Sequence, residues 1–428
     1  MSIISRKGIS IRKLGLYLLI CIFIFPDYFG IYIPKLPSLT MKRIILILLL
    51  LFIFHDKRKR KKFIEIILNF KFKYFFLLYI FVILYTAILR VNINTLFQPI
   101  TDNILIFFTI VYLFKYELQT KDFFNIINKI AFFLCILGII EYILGFSIFS
   151  MLETIPGILA VSSRDGVHRI MGPCRSPLAY GLYLNLLLPL IAYDYKHKVV
   201  NILKKKTLLI LIVLNIFFVN SRLATAVLII EIILLILIST KEIRELSFLV
   251  ISASVLIILF FVFAFKNFEL SQKIILSFTN IFDTIFNTNY GVNLGGQSLY
   301  DSTYYRTLLP KIFRLEWLNP LLGRGYGYKI SLVIDGYWIR SIDNFYVGQY
   351  IFLGYPGLVA TLGIIIAFLC FIYKKGFKER SLLYKSIFIA CICYFISLWW
   401  VDHLGTLPYI YTLFGFVYAI KDKKYEYL

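Results

Sequence analysis

LTMKRIILILLLLFIFHDKRKRKK, residues 39–62, joins an apolar run to a dense block of basic residues. The apolar run at 39–54 approaches the roughly 17–25 residues that are needed to cross the hydrocarbon core of a bilayer. Lys and Arg collect in the cytoplasmic segments beside membrane helices. The block HDKRKRKK (55–62) therefore predicts that this end of the span lies in the cytoplasm and that residue 39 lies near the outer face.

Similar apolar runs recur along the chain, whose 428 residues are 60% hydrophobic and 18% aromatic, with a mean hydropathy of +0.83. A soluble core could not bury so much apolar surface. We predict an all-α polytopic membrane protein, a single integral membrane domain (1–428) with about 12 transmembrane helices. The predicted spans are 14–33, 39–54, 74–90, 100–115, 130–147, 177–194, 207–220, 222–239, 246–265, 345–372, 384–400 and 404–420.

Basic residues divide unevenly between the two faces of this threading. With the N-terminus inside, the cytoplasmic segments hold 30 of the 46 Lys and Arg residues, so both termini are predicted to be cytoplasmic. Ten of the sixteen Arg but only six of the thirty Lys then lie outside. Short cytoplasmic hairpins near anionic lipid headgroups account for most of the formal net charge of +23, so no nucleic-acid partner is expected.

Two predicted outer loops are too long to be simple connectors. The first is 146–176, and the second is a large, partly helical extracytoplasmic loop at 266–344, between spans 9 and 10, which we call the lid. DSTYYRTLLPKIFRLEWL (301–318) is amphipathic and is expected to rest on the bundle or on the membrane interface. NTNYGVNLGGQS (287–298) lacks GK[ST] and is expected to be a flexible loop and not a phosphate-binding P-loop.

The outer arginines concentrate in and around these two loops. A guanidinium group is planar, permanently charged and able to hold a phosphate through two parallel hydrogen bonds, whereas Lys offers a point charge. A membrane-borne pyrophosphate therefore suits them as a ligand, and the alternative is ion pairing or contact with lipid headgroups. Arg222 occupies a very short turn, where a charge normally faces the bundle interior or a wet cavity. The arginines of the two long loops and of this short turn are Arg164, Arg169, Arg175, Arg222, Arg306, Arg314, Arg324 and Arg340.

Five sequence segments follow one another on the predicted outer face. They are HRIMGPCRSPLAYGLYL (168–184), NSRLATAVLII (220–230), YYRTLL (304–309), PLLGRGYG (320–327) and IDNFYVGQYIFLGYPGLVATLG (342–363). In this order they resemble the signature segments of the O-antigen ligase and Wzy-type polysaccharide polymerase superfamily. The resemblance extends over roughly 164–363, nearly half of the chain.

The resemblance implies a glycosyl transfer at the outer leaflet of the bacterial cytoplasmic (inner) membrane. A glycan linked through pyrophosphate to a polyprenyl carrier is passed to a hydroxyl of a second lipid-linked repeat, and the carrier pyrophosphate leaves. The implied partners are this lipid-linked oligosaccharide, membrane lipid, and a chain-length regulator and a flippase of the same pathway. No cofactor and no metal is expected, because no two Asp form D-x-D and His and Cys do not cluster at ligand spacing.

The chemistry of such a transfer assigns roles to the matching residues. Preorganised cations stabilise the departing pyrophosphate, and a carboxylate takes the proton of the attacking hydroxyl. Asp343 is the candidate base, although it is equally suited to cap the helix that follows. The predicted catalytic residues are Asp343, Arg169, Arg222 and Arg306, and the predicted substrate-binding residues are Arg164, Arg175, His168, Arg324 and Asn344.

The sequence also allows other interpretations. Ligases of the superfamily characteristically have His before the Asn, whereas this chain has Asp343 before Asn344, which favours a polymerase. His168 and His403 are alternative bases or ordinary loop histidines. Glu141 lies within a span, where we expect a structural pairing with an Arg or a Tyr hydroxyl. A flippase or another transporter is the non-enzymatic alternative.

Overall fold

A computed structural model describes residues 10–32, 37–157, 159, 163–164, 167–286, 288, 290, 300–314 and 319–420. This part of the chain is mostly helical, as predicted, and the described strands form short two-stranded hairpins. The helices are α1 (Ile11–Ile24), α2 (Met41–His55), α3 (Lys57–Leu68), α4 (Lys73–Leu89), α5 (Ile93–Pro99), α6 (Ile106–Tyr116), α7 (Thr120–Leu144), α8 (Pro177–Ala192), α9 (Lys206–Val219), α10 (Arg222–Ile238), α11 (Lys241–Ala264), α12 (Glu269–Phe286), α13 (Tyr300–Leu308), α14 (Phe345–Tyr373), α15 (Leu382–Ser397) and α16 (Leu407–Ile420).

Every predicted span overlaps one of these helices. Four continuous helical stretches are long and apolar enough to cross a membrane, namely Ile93–Tyr116, Thr120–Leu144, Lys241–Ala264 and Phe345–Lys378. A fifth candidate consists of α3 and α4 together, which meet at an angle of 94°. α8, α9, α15 and α16 are apolar but have only 14–16 residues. The helices are therefore consistent with a membrane protein, while the number of twelve spans stays a prediction.

Side chains of Ser and Asp cap the first turns of several helices, two of which begin where the sequence predicted a span. Ser176 caps α8 by accepting a hydrogen bond from the Ala179 amide, and Pro177 is the first helical residue. Ser221 caps α10 in the same way, so Arg222 is the first residue of that helix. Asp56 caps α3, the helix that carries most of the basic block at 55–62.

The short strands pair antiparallel and lie in connecting segments. β1 (Gly30–Ile31) pairs with β2 (Leu39–Thr40), and β3 (Ser163–Arg164) pairs with β4 (Val167–His168). β5 (Tyr193–Asp194) pairs with β6 (Val199–Val200). In the lid, β7 (Leu332–Ile334) and β8 (Tyr337–Ile339) form a hairpin in which Val333 lies opposite Trp338.

Polar contacts gather at the two ends of the helical bundle. Arg12 at the start of α1 pairs with Asp122 at the start of α7, at 3.0 Å, and Lys62 lies over the ring of Tyr116 at the end of α6. Asp27, just past the other end of α1, pairs with Arg175 just before α8. Asp27 and Arg175 therefore lie at the opposite end of the bundle from Arg12 and Asp122, and we call their end the site end.

α14 is broken at Gly354, whose φ of +70° and ψ of −175° are not helical. The segment 320–325 fills this break. The amides of Arg324 and Gly325 donate to the carbonyls of Ile351 and Phe352, at 2.8 and 2.9 Å, and the Tyr355 amide donates to the Pro320 carbonyl at 2.8 Å. Backbone groups freed by the break are thus paired within the protein, as a membrane-embedded helix requires.

The lid packs on the first half of α14 through a small core of its own. Leu308, Leu309 and Ile312 are buried there together with side chains of the β7–β8 hairpin and of α14. Of the two expectations for 301–318, the described residues therefore support packing on the bundle. Leu315, Trp317 and Leu318 of that segment and most of the loop 287–298 lie outside the described residues.

Candidate functional site

Arg306 and Asp343 form an ion pair at the site end. The Arg306 Nη2 atom is 3.5 Å from Asp343 Oδ2, and the Arg306 Nε atom donates to the carbonyl of Trp400 at 3.2 Å. Arg306 lies in the last turn of α13, whereas Asp343 lies two residues before α14. The side chains are 28% and 39% exposed, so substrate can reach both. Two of the four predicted catalytic residues are therefore in contact.

Asn344, and not Asp343, caps α14. The Asn344 side-chain oxygen accepts from the Val347 amide at 3.0 Å, and its nitrogen donates to the Trp399 carbonyl at 2.8 Å. The predicted alternative role of Asp343 as the cap is therefore taken by its neighbour. Asn344 is buried and its amide is engaged by the protein, which gives it a structural role here.

The surroundings of the Asp343 carboxyl change its protonation. Burial raises its pKa, Arg306 and a 3.4 Å hydrogen bond from Ser341 Oγ lower it, and Asp402 raises it. The net effect is a pKa above the usual aspartate value. A carboxylate with a raised pKa is a stronger base, and a base works best when its pKa approaches the working pH.

A cleft of about 460 Å³ adjoins this pair, and we call it the lid cleft. Ser341 lines the cleft and its hydroxyl also contacts the Asp343 carboxylate, so the side chain of Ser341 connects the cleft to the ion pair. Its volume lies in the range of small-molecule sites, roughly 300–1,000 Å³. The lining residues are Tyr328, Lys329, Ile330, Ser331, Arg340, Ser341, Ile342, Gly348, Phe352 and Asp402.

A second group of charges is buried deeper at the same end. Arg43 holds Asp102 through two hydrogen bonds of 2.8 Å, from Nε to Oδ1 and from Nη2 to Oδ2. Lys42 Nζ is 3.5 Å from the same Asp102 Oδ2 atom. None of these three side chains is more than 10% exposed. Two cations therefore share one carboxylate in a low-dielectric environment.

Arg175 lies beside this buried group, with its side chain 31% exposed. Its Nε and Nη2 atoms each lie 2.5 Å from Asp27 Oδ2. Burial lowers the pKa of the Arg175 guanidinium, but Asp27, Asp102 and Asp402 together raise it by more, so Arg175 stays charged. Since Asp402 also lines the lid cleft and interacts with Asp343, the buried charges and the Arg306–Asp343 pair are electrostatically connected.

His403 is neutral in this environment. Burial lowers its pKa, although the Asp402 carboxylate partly opposes the shift. The Gly405 amide donates to His403 Nδ1 at 3.0 Å, which requires that nitrogen to be unprotonated. His403 lines a small cavity together with Lys42, Asp102 and Arg175. It is therefore part of the buried group and not an exposed loop histidine.

The predicted residues His168, Arg169 and Arg222 lie around the ends of α7 and α9 and the start of α10. Arg169 Nε donates to the Val219 carbonyl at 2.9 Å, two residues before Ser221, the cap of Arg222's helix. His168 Nε2 is 3.4 Å from Glu141 Oε1, and burial lowers the pKa of His168. The contacts of Arg306 described above, with Asp343 and Trp400, include none of these three residues.

Glu141 has hydrogen-bond partners, but they are not the Arg or Tyr side chains that were expected. Its two carboxylate oxygens accept from the backbone amides of Met171 and Gly172, at 2.9 and 3.0 Å. Sequence reasoning proposed an Arg or Tyr partner, because backbone donors cannot be recognised from residue types. Glu141 thereby fixes the loop that carries His168 and Arg169.

The two remaining predicted residues are Arg324 and Arg164. Arg324 supplies one of the hydrogen bonds that close the break in α14, and its guanidinium carbon lies 5.7 Å from the centre of the Tyr328 ring. Arg164 lies in β3, and its side chain lies outside the described part of the chain. Among the described residues no three His, Cys, Asp or Glu side chains group to hold a metal ion.

Arg175 was predicted from the sequence, whereas Asp27, Asp102, Lys42 and Arg43 were not. Asp102 carried a usable signal, since a carboxylate at the start of a predicted span is costly unless it is paired. Its partner Arg43 lies 59 residues away, and Asp27 lies 148 residues from Arg175. Such pairings follow from the packing of distant helices. Comparison of the sequence with protein-family models and with curated proteins finds no match.

Proposed function

We propose that this protein is a membrane-embedded glycosyltransferase that joins polyprenyl-pyrophosphate-linked oligosaccharide repeat units into a surface polysaccharide. The reaction takes place at the outer leaflet of the bacterial cytoplasmic membrane, with both termini in the cytoplasm. The observation that carries the proposal is the Arg306–Asp343 ion pair at the mouth of the lid cleft. A chain-length regulator and a flippase of the same pathway are the proposed protein partners.

Asp343 has the properties of a base for this reaction. Its side chain is free of the helix-cap role, partly exposed, and raised in pKa. The acceptor hydroxyl would displace Arg306 from Asp343 and donate its proton to the carboxylate. The oxygen then attacks the anomeric carbon of the donor sugar as the bond from that carbon to the pyrophosphate oxygen breaks.

Arg306 is the cation placed to receive the leaving group. A guanidinium released from its carboxylate can hold a phosphate through two hydrogen bonds, and fixed charges that meet developing charge lower the barrier. Arg169 and Arg222 serve the same anion or the approach to it. Lys42, Arg43 and Arg175 lie behind the site, where Asp102 and Asp27 pair with them. No metal or cofactor enters this scheme.

A transporter of lipid-linked oligosaccharide is the second candidate function. Two observations favour it: the helix α14 broken at Gly354, and the buried charge group around Asp102. Broken helices and buried ionisable residues are typical of membrane transport sites. A ligase that moves finished polysaccharide is the third candidate, and Asp343 before Asn344, in place of His, makes it less favoured.

The experiment compares the variants Asp343→Asn and Arg306→Ala in a strain that lacks the chromosomal gene. The exposed pair Lys311–Asp335 lies in the same lid, so Asp335→Asn is the matched control. We expect the two site variants to leave glycan with one repeat unit, while Asp335→Asn gives a normal ladder on a gel.

The products in the deletion strain separate the three candidates. Single repeats exposed on the outer face support a polymerase. Long but unattached chains indicate a ligase, and lipid-linked repeats retained in the cytoplasm indicate a flippase. Normal ladders from both site variants would contradict the roles given to Asp343 and Arg306.

A further inference from the structure

The lid cleft carries two basic side chains that the described part of the protein does not neutralise. Lys329 and Arg340 line the cleft, both are exposed, and among the described residues neither is paired with a carboxylate. Two other basic residues of the lid are paired with carboxylates, Lys311 with Asp335 and Arg306 with Asp343. The cleft therefore offers a cationic wall to a ligand.

An aromatic side chain stands beside this wall. Trp338 is 58% exposed, and the guanidinium carbon of Arg340 lies 4.1 Å from its ring centre. The indole N–H of Trp338 donates to Ser331 Oγ, a cleft-lining residue, at 2.9 Å. These two contacts fix the orientation of the ring. Large rigid aromatic rings with a polar edge are well suited to pack against the apolar face of a sugar.

The cleft also contains a carboxylate, Asp402. A carboxylate accepts hydrogen bonds, so a ligand of this cleft should carry donor groups as well as an acid group. A sugar differs from a phosphate in carrying hydroxyl groups, which donate to carboxylate oxygens. Cations, a hydrogen-bond acceptor and an exposed Trp in one place suit a ligand with an acid group, hydroxyls and an apolar face.

We infer that the lid cleft binds an acidic sugar of the repeat unit, with Arg340 and Lys329 on its carboxylate, Asp402 on its hydroxyls and Trp338 against its ring. The inference rests on the proposed function and adds the class of repeat unit that is polymerised. Ser341 joins the cleft to Asp343, so the bound sugar lies next to the reacting groups. Arg340 and Lys329 are specificity residues and take no part in proton transfer.

The first test is the sugar composition of the polysaccharide that the deletion strain fails to extend. We expect its repeat unit to contain a uronic acid or another carboxylated sugar. A truncated polysaccharide whose repeat contains only neutral sugars would overturn the inference and leave the proposed function intact. An unchanged polysaccharide would instead contradict the proposed function, and the inference would fall with it.

The second test uses the exposed side chains of the cleft in the same strain and in purified protein. Arg340→Gln and Lys329→Gln should each raise the KM for the lipid-linked repeat about tenfold with little change in kcat, since a charge-assisted hydrogen bond is lost. Arg340→Lys keeps the charge and should be intermediate. Arg314→Gln is the matched control, because Arg314 is an exposed lid arginine outside the cleft lining.

Immunoblots of membranes establish that the variants are present at equal levels. An unchanged KM in both Arg340→Gln and Lys329→Gln would overturn the inference even if the polysaccharide is acidic. An equal rise in KM in Arg314→Gln would also overturn the inference, because the effect would then reflect the general charge of the lid near lipid headgroups.

Discussion

Removing the Asp102 carboxylate should destabilise the protein more than removing an equivalent surface carboxylate. Asp102 accepts two hydrogen bonds of 2.8 Å from Arg43 and lies 3.5 Å from Lys42. The three side chains are 7–10% exposed. Asp102→Ala leaves both cations without a carboxylate in a poorly solvated place.

The expected cost is about 3–5 kcal/mol, the typical effect of deleting one partner of a buried ion pair. Most of this cost is the penalty of burying uncompensated charge, so it does not measure the strength of the pair itself. Asp335→Asn is the control, because Asp335 pairs with Lys311 on the exposed surface, where ion pairs contribute little, and Asn tolerates the φ of +49° at this position. The double variant Arg43→Met with Asp102→Leu should lose less than Asp102→Ala alone, since only one cation then stays unpaired.

The assay is the free energy of unfolding of the purified protein in bicelles, measured by steric trapping of a doubly biotinylated form. Single, double and control variants are compared at the same pH and lipid composition. A cost for Asp102→Ala below about 1 kcal/mol, equal to that of Asp335→Asn, would show that the Asp102 group is well solvated and would contradict the prediction.

Three further predictions concern the reacting pair and α14. Transfer activity should rise with pH through the raised pKa of Asp343, and Arg306→Ala should move this acid limb to higher pH in whatever activity remains, because the pKa-lowering charge is removed. A pH–rate profile that is the same in both proteins contradicts this. Gly354→Ala should cost at least about 1–3 kcal/mol, because φ is +70° and the new Cβ lies 2.9 Å from a carbonyl oxygen, whereas Gly348→Ala should be tolerated; equal melting temperatures contradict this. Asn344→Ala should cost about 1–2 kcal/mol through the lost cap, and Asn344→Asp should not restore stability, because a buried carboxylate oxygen would face the Trp399 carbonyl to which the Asn344 amide donates; a melting temperature equal to the wild type in either variant contradicts this.

Local sequence signals predicted the positions of many helices because their causes are local. α8 begins at Pro177 and α10 at Arg222, as predicted, since Ser176 and Ser221 cap the first turns. The span predicted at 14–33 was too long at its end, because α1 stops at Ile24, two residues before Pro26. A proline cannot continue the hydrogen-bond pattern of a helix interior.

The arrangement of the site depended on contacts that the sequence does not display. The Arg306–Asp343 contact joins two predicted catalytic residues, but nothing in the sequence distinguished Asp343 from Asn344 as the cap of α14. The break at Gly354 needs the carbonyl and amides of 320–325, about thirty residues earlier. Hydrophobic periodicity carries no information about such long-range pairing, so the buried group around Asp102 and the lid cleft emerged only from the structure.

The most direct test of the account is a reaction of purified protein with a lipid-linked repeat unit, followed by mass spectrometry. We expect a two-repeat glycan on one carrier to appear together with an equal amount of free polyprenyl pyrophosphate. Asp343→Asn should form neither product and Arg306→Ala should form both at a strongly reduced rate, while Asp335→Asn should form both at the wild-type rate. Absence of both products from the wild-type protein, or equal formation by Asp343→Asn, would contradict the proposed glycosyl transfer at the Arg306–Asp343 pair.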